Sequence, residues 1–206
     1  MSLTFRAVTL PLRTLACRPF GLDTAPTSFL RLVPHQEAPT SICWGDRNRS
    51  VLVRVPLGWQ NLDDRMFRDA NPQEGPAGAL PNDSQTVELR SPDGSANVHL
   101  LLAGVTVAAR VGLTDPAMLD YANSRHVSGD ASQMAELEQL PTSCAEAARR
   151  LLAQRSAYEE RGVFPSGLID SWAQKLIGLG DETLREDIAE NRVRVEDLVK
   201  RYFHVG

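Results

Sequence analysis

The chain has 206 residues, with 22 Lys and Arg against 26 Asp and Glu and a formal net charge of −4. Its 42% hydrophobic and 23% charged residues are ordinary globular composition, and the length suits one large domain or a domain with an appended bundle. The negative balance gives a nucleic-acid partner no global electrostatic support, and no apolar run approaches the ~20 residues that span a bilayer.

In chain order, residues 1–27 read as an irregular lead-in punctuated by Pro11, Pro19, Gly21 and Pro26. A start this irregular suggests that something precedes it in the natural gene. The N-terminus lacks a secretory apolar region. Three cysteines (Cys17, Cys43, Cys144) stand far apart without CxxC spacing, which predicts reduced structural thiols in a cytoplasmic protein. The histidines (His35, His99, His126, His204) show neither HxH nor HExxH spacing, so no self-contained zinc site is visible.

Ser41–Trp44 and Val51–Val55 are strand candidates. In the second, three valines share one face while Leu52 and Arg54 share the other. The connection 57–83 is long, with a second half rich in Pro, Gly and Asn, and reads as disorder or a surface excursion, with a lid as the sharper alternative. Thr86–Arg90 alternates again: Val87 and Leu89 point one way and Glu88 and Arg90 the other, aiming a carboxylate and a guanidinium into one space.

From Ser95 the pattern turns helical. Ala96–Leu113 is small and apolar nearly all round, which predicts a helix buried against the sheet. Thr114-Asp115-Pro116 reads as the next helix start, with Thr as cap. Ser143 and Glu146 form a capping-box pattern ahead of a helix running through Glu160. Ser166–Gly178 and Asp181–Tyr202, broken near Asn191, complete a helical C-terminal third. The expected fold class is α+β: a partial antiparallel sheet packed by helices. There is no internal repeat, and neither a GxGxxG nor a Walker A loop.

The stretch from Ser28 to Pro56 holds four arginines (Arg31, Arg47, Arg49, Arg54) and Glu37 among apolar and β-branched residues. Glu88 and Arg90 follow about 30 residues later. The planar fork of Arg matches carboxylate and phosphate bidentately and stays charged when desolvated. Concentrated locally in an acidic chain, these groups point to a small anionic ligand rather than a polyanion. For Arg49, Arg54 and Arg90, and for Glu88 beside Arg54 and Arg90, a structural ion pair is the alternative. For Glu37 it is a solvated loop carboxylate.

Three ordered motifs carry a resemblance. They are Leu30-Arg31-Leu32-Val33-Pro34-His35-Gln36-Glu37-Ala38-Pro39, Arg47-Asn48-Arg49-Ser50-Val51-Leu52-Val53-Arg54-Val55-Pro56, and Glu88-Leu89-Arg90-Ser91-Pro92-Asp93 with Asn97. They resemble the glutamine synthetase family, specifically the C-terminal part of its catalytic domain, over residues 22–206. On this resemblance 1–27 is the truncated start of the domain and 28–206 its C-terminal portion.

The resemblance implies an ATP-dependent ligase joining glutamate and ammonia through γ-glutamyl phosphate, with Mg²⁺ or Mn²⁺ as cofactor. It implies a cytoplasmic homo-oligomer with no nucleic-acid or membrane partner. Arg31 and Arg90 would bind glutamate, and Arg49 and Arg54 the phosphates. Glu88 would be a metal ligand, and Glu37 would help take a proton from ammonium, so Glu37 and Arg49 are the catalytic candidates. Arg47 inherits no role.

The chain also departs from the pattern. Asp83 and Thr86 stand where the family has a Lys and an Arg, and a G-x-G-x-H-x-H segment with further metal-binding glutamates is absent. The chain is therefore expected to be a C-terminal fragment, inactive alone and with its metal site unfilled. Two alternatives stand beside this: a non-catalytic relative with a binding or assembly role, and a relative that ligates glutamate to another amine.

Overall fold

The connection between the first two strands organises the fold. A computed structural model describes residues 25–33, 38–56, 69–70, 72–73, 86–92 and 94–202. Most of the 57–83 connection, with Asp83, lies outside the described residues, as do His35 and Glu37.

Helix α1 (Pro26–Leu30) precedes three short strands: β1 (Trp44–Asp46), β2 (Val53–Val55) and β3 (Glu88–Leu89). They form one sheet in the order β1-β2-β3. The β2–β3 pair is antiparallel as expected, with Val53 opposite Leu89 and Arg54 opposite Glu88. The β1–β2 pair is parallel, so the sheet that was expected to be partly formed and antiparallel is mixed. Parallel neighbours ordinarily need a crossover of about a dozen residues; here 47–52 suffices because it folds out of the sheet as a compact loop. Arg47 starts that loop at φ 55°, a left-handed conformation costing about 1–3 kcal/mol in a non-glycine residue. Its N–H donates to the Val55 carbonyl at 2.8 Å.

The loop also changes the strand reading. Val51 and Val53 do not serve one surface. Val51 is buried with Cys43, Val127 and Leu137, whereas Leu52, Val53 and Val55 join Ile42, Trp44 and Phe29 in the main core. Gly45 in β1 has a reason to lack a side chain, since a Cβ there would lie 2.4 Å from the Val127 carbonyl oxygen. That close approach lets 126–127 run beside β1, with Trp44 N–H on the Arg125 carbonyl and Val127 N–H on that of Trp44.

Helices cover the sheet. Helix α2 (Val98–Thr114) starts at Asn97, whose side-chain oxygen accepts from the N–H groups of His99 and Leu100. Its buried stripe is small, made of Gly104, Val107, Ala108 and Gly112, while Val98, Leu102 and Leu113 are about 60% exposed. The helix is thus buried on one face, not all round. Asp115 rather than Thr114 caps α3 (Ala117–Ser124), because its carboxylate accepts from the Ala117 N–H at 3.0 Å. The Thr114 hydroxyl instead donates back to the Arg110 carbonyl.

The C-terminal third is helical as expected. It contains α4 (Cys144–Ala153), α5 (Arg155–Glu159), α6 (Ser166–Ile177), α7 (Leu184–Glu190) and α8 (Arg192–Tyr202). The run expected to continue through Glu160 breaks at Gln154. The chain then reverses through Arg161 and Gly162, both at positive φ, and Phe164 packs edge-on against Tyr158 at 5.6 Å. Ala147 and Ala148 of α4 meet Ala173 and Leu176 of α6 in the main core.

The start of α4 is capped twice. Ser143 Oγ accepts from Glu146 N–H at 3.1 Å, and Glu146 accepts from Thr142 N–H at 2.9 Å. Buried Asp181 also reaches across and accepts from the N–H groups of Cys144 (2.7 Å) and Ala145 (3.2 Å). A carboxylate at a helix N-terminus meets both the orphan donors and the positive end of the dipole.

Asp181→Ala should therefore lower stability by about 2–4 kcal/mol, since it strands two buried donors; urea unfolding reads this directly. Glu146 supplies a pH-dependent share. Burial pushes its carboxyl up, but Thr142 and the Arg150 guanidinium outweigh burial and hold it below its ordinary value. A carboxyl depressed in the folded state stabilises above its unfolded pKa, and that contribution is lost as pH falls through the lower folded value. The stability gap between the native chain and Glu146→Gln should close as pH drops below ~4, followed by denaturant midpoints.

Candidate anion-binding site

The antiparallel register of β2 and β3 builds the site. Because side chains alternate along a strand, Val87 and Leu89 pack on the core while Glu88 and Arg90 share the other face. Arg54 stands directly across from Glu88. Its Nε (2.8 Å) and Nη2 (2.5 Å) both reach Glu88 Oε2. The second oxygen, Oε1, faces Arg90 Nε at 3.6 Å.

Arg90 is the most buried of these groups, with its side chain 11% exposed. Its Nη1 donates to the carbonyls of Arg49 and Val51 on the 47–52 loop. Arg31, on the surface just past α1, donates from Nη2 to the Ser91 carbonyl at 2.5 Å and from Nη1 to that of Arg90 at 3.4 Å. The structure therefore brings Arg31, Arg54, Glu88, Arg90 and the backbone of Arg49 into one connected patch. Among the described residues, three guanidinium groups there gather around the Glu88 carboxylate. The Arg49 side chain is exposed on the loop. Glu37 lies outside the described residues.

Two residues that the sequence reading gave no role hold this patch. Asn48 Nδ2 donates to the carbonyls of Val127 (3.3 Å) and Gly129 (2.6 Å), and its Oδ1 accepts from the Ser50 N–H and hydroxyl. Ser50 Oγ in turn accepts from Ala131 N–H. The available signal was an Asn beside an Arg in a short motif, since Asn suits tight turns. The second is Arg185 on α7, which donates to the carbonyls of Phe29 and Leu32, fixing the end of α1 next to Arg31. At a sequence distance of 156 residues, no local pattern announces that contact.

Other candidates fall elsewhere. His99 is exposed in the first turn of α2. Thr86 is exposed at the approach to β3. Arg47 forms the turn into the loop. Cys43 and Cys144 are both buried. Burial pushes the Cys43 thiol up against the opposing effects of the Leu52 backbone and Arg125, the signature of a structural rather than reactive cysteine. His126 stacks on Trp44 at 4.4 Å and reaches Asp46 at 3.5 Å, away from the arginine patch.

Glu88 does not make a metal site by itself. Among the described residues no group of three or more His, Cys, Asp or Glu side chains could hold an ion, and both Glu88 oxygens already face guanidinium groups. A hard divalent cation needs several oxygen donors, so the described residues by themselves do not fit one. Among the described residues, too, no single helix is long and apolar enough to cross a membrane.

A small α+β unit presenting an anion-seeking arginine face is one element of many phosphate- and carboxylate-handling enzymes. Comparison with known proteins narrows this class. Residues 22–176 match the glutamine synthetase catalytic domain, and the chain belongs to that family. The glutamine synthetase of Thermococcus kodakarensis is 29% identical over 191 residues, covering 88% of this chain and 38% of the relative. That of Pyrococcus furiosus is 33% identical over 144 residues, covering 68% and 28%. That of Mycobacterium bovis is 29% identical over 152 residues, covering 72% and 28%. The chain thus spans well under half the length of these relatives.

Asn48→Ala should loosen the 47–52 loop. It removes two donors to Val127 and Gly129 and an acceptor for Ser50, a loss of about 1–2 kcal/mol. Hydrogen exchange should speed up at the Ala131 amide, while the α4 amides beyond it keep their protection.

Proposed function

We propose that this chain supplies the guanidinium wall of an ATP-dependent glutamate–ammonia ligase. The observation behind this is the connected patch of Arg54, Glu88 and Arg90 on one sheet face with Arg31 bonded beside it, in a chain of the glutamine synthetase family. In that reaction the γ-phosphoryl of ATP passes to the side-chain carboxylate of glutamate. Ammonia then attacks the acyl phosphate, the C–N bond forms and phosphate leaves.

Both steps concentrate negative charge, which fixed cations at a partly desolvated site stabilise. Arg31 and Arg90 are read as the glutamate clamp, and Arg49 and Arg54 as the phosphate contacts. Glu37 is read as the group that receives a proton from ammonium. The family's chemistry uses Mg²⁺ or Mn²⁺, but the described residues offer only Glu88 toward such an ion, so no step is assigned to the metal here. That Glu88 is the one carboxylate the described residues offer is also why this chain is proposed not to turn over on its own. A cytoplasmic homo-oligomer belongs to the same reading.

Two observations favour a non-catalytic relative instead: both Glu88 oxygens face arginines, and Thr86 replaces a cation of the family pattern. A chimera separates the two readings. This chain would replace the matching segment of the Thermococcus kodakarensis relative, with γ-glutamyl hydroxamate as the readout. The isolated chain should give only background. The folded chimera should form hydroxamate, and Arg54→Gln within it should cut kcat/KM for ATP by about 100-fold. A folded, assembled chimera without activity would sink the ligase reading and support the non-catalytic one.

A further inference from the structure

Resting on the reading of Arg54 as a phosphate contact, we propose that Glu88 is a resident anion that occupies the Arg54 fork, so that an incoming phosphate binds by displacing it. The Arg fork accepts carboxylate and phosphate oxygens through the same parallel N–H donors. In this chain those donors, Nε and Nη2, are both committed to Glu88 Oε2 at 2.8 and 2.5 Å. The antiparallel register places the two residues directly opposite each other, so the pair forms without any rearrangement of the backbone.

The geometry also supplies the alternative state. Glu88 Oε1 lies 3.6 Å from Arg90 Nε, and Arg90 is anchored through Nη1 to the Arg49 and Val51 carbonyls. A Glu88 carboxylate released from Arg54 keeps a fixed cation beside it, so displacement is an exchange of partners and not the loss of one. Solvent reaches the pair, with the Arg54 side chain 25% and the Glu88 side chain 42% exposed. Exposed pairs of this kind are weak enough for a competing dianion to open. The ligand class is a phosphate group, free or as the terminal group of a phosphoanhydride. Glu88 sets the threshold concentration at which it enters.

The test is a titration of the chain with inorganic phosphate at constant ionic strength, following the arginine Nε–H resonances by NMR. Glu88→Gln should bind phosphate about three- to tenfold more tightly than the native chain, and adding Arg54→Gln should erase that gain. Equal or weaker binding by Glu88→Gln overturns the proposal. In that case, weakening by Arg54→Gln alone still upholds Arg54 as the phosphate contact. A gain that survives in the double variant also overturns the proposal, because it then reflects net charge alone. No phosphate response in any form overturns both the proposal and the reading of Arg54. Glu88→Met removes the charge at similar length and runs the same arms if the Gln variant disturbs the strand.

Discussion

The hydrogen-bonded register between β2 and β3 is the constraint on which the candidate site depends. Two strands of two or three residues contribute little stability by themselves. Their pairing nevertheless decides which side chains share a face, because a slip of one residue would send Arg54 toward Leu89 and turn Glu88 into the core. Apolar Val87 and Leu89 hold the register from below. The Arg54–Glu88 pair closes it from above, and Arg90 ties the same face to the neighbouring loop.

That loop is the second dependency. A parallel β1–β2 pair joined by so short a link is possible only if the link leaves the sheet and is held where it goes. Arg47 accepts an unfavourable backbone conformation, Gly45 yields space to the Val127 carbonyl, and Asn48 and Ser50 bond outward to 127–131. The carbonyls of Arg49 and Val51 are thereby presented to Arg90. Helix α1 is fixed in turn by Arg185 and by the Arg31 bonds to the carbonyls of Arg90 and Ser91. Among the described residues, Arg31 and Arg90 both donate to backbone carbonyls, and such contacts orient a guanidinium without neutralising it.

Much of this was legible in the residues. Alternation alone put Glu88 and Arg90 on one face, the S-x-x-E pattern located the start of α4, and apolar spacing found the C-terminal helices with their break near Asn191. The misses share a cause. Val51 continued a valine alternation but sits in the loop, in a different apolar cluster. Ala96–Leu113 looked apolar all round, yet Val98, Leu102 and Leu113 stay exposed while Gly104, Val107, Ala108 and Gly112 form the buried stripe. Thr114 was expected to cap α3, but its hydroxyl bonds back to the Arg110 carbonyl and Asp115 accepts from the Ala117 N–H instead. Composition describes what a side chain tolerates; the neighbours brought up by distant chain decide what it meets.

The sequence by itself determined the family, through three spaced motifs, and determined that Glu88 and Arg90 would share one face, because alternation and spacing are local properties. Only the tertiary structure decided how those groups are used. The Arg54 fork closes on Glu88, Arg90 and Arg31 grip carbonyls, and Asn48 and Arg185 become the supports. The reason is physical: an arginine fork takes whichever oxygen the fold brings within hydrogen-bond reach, and that oxygen is chosen by strand register and loop path across distances that no local pattern encodes.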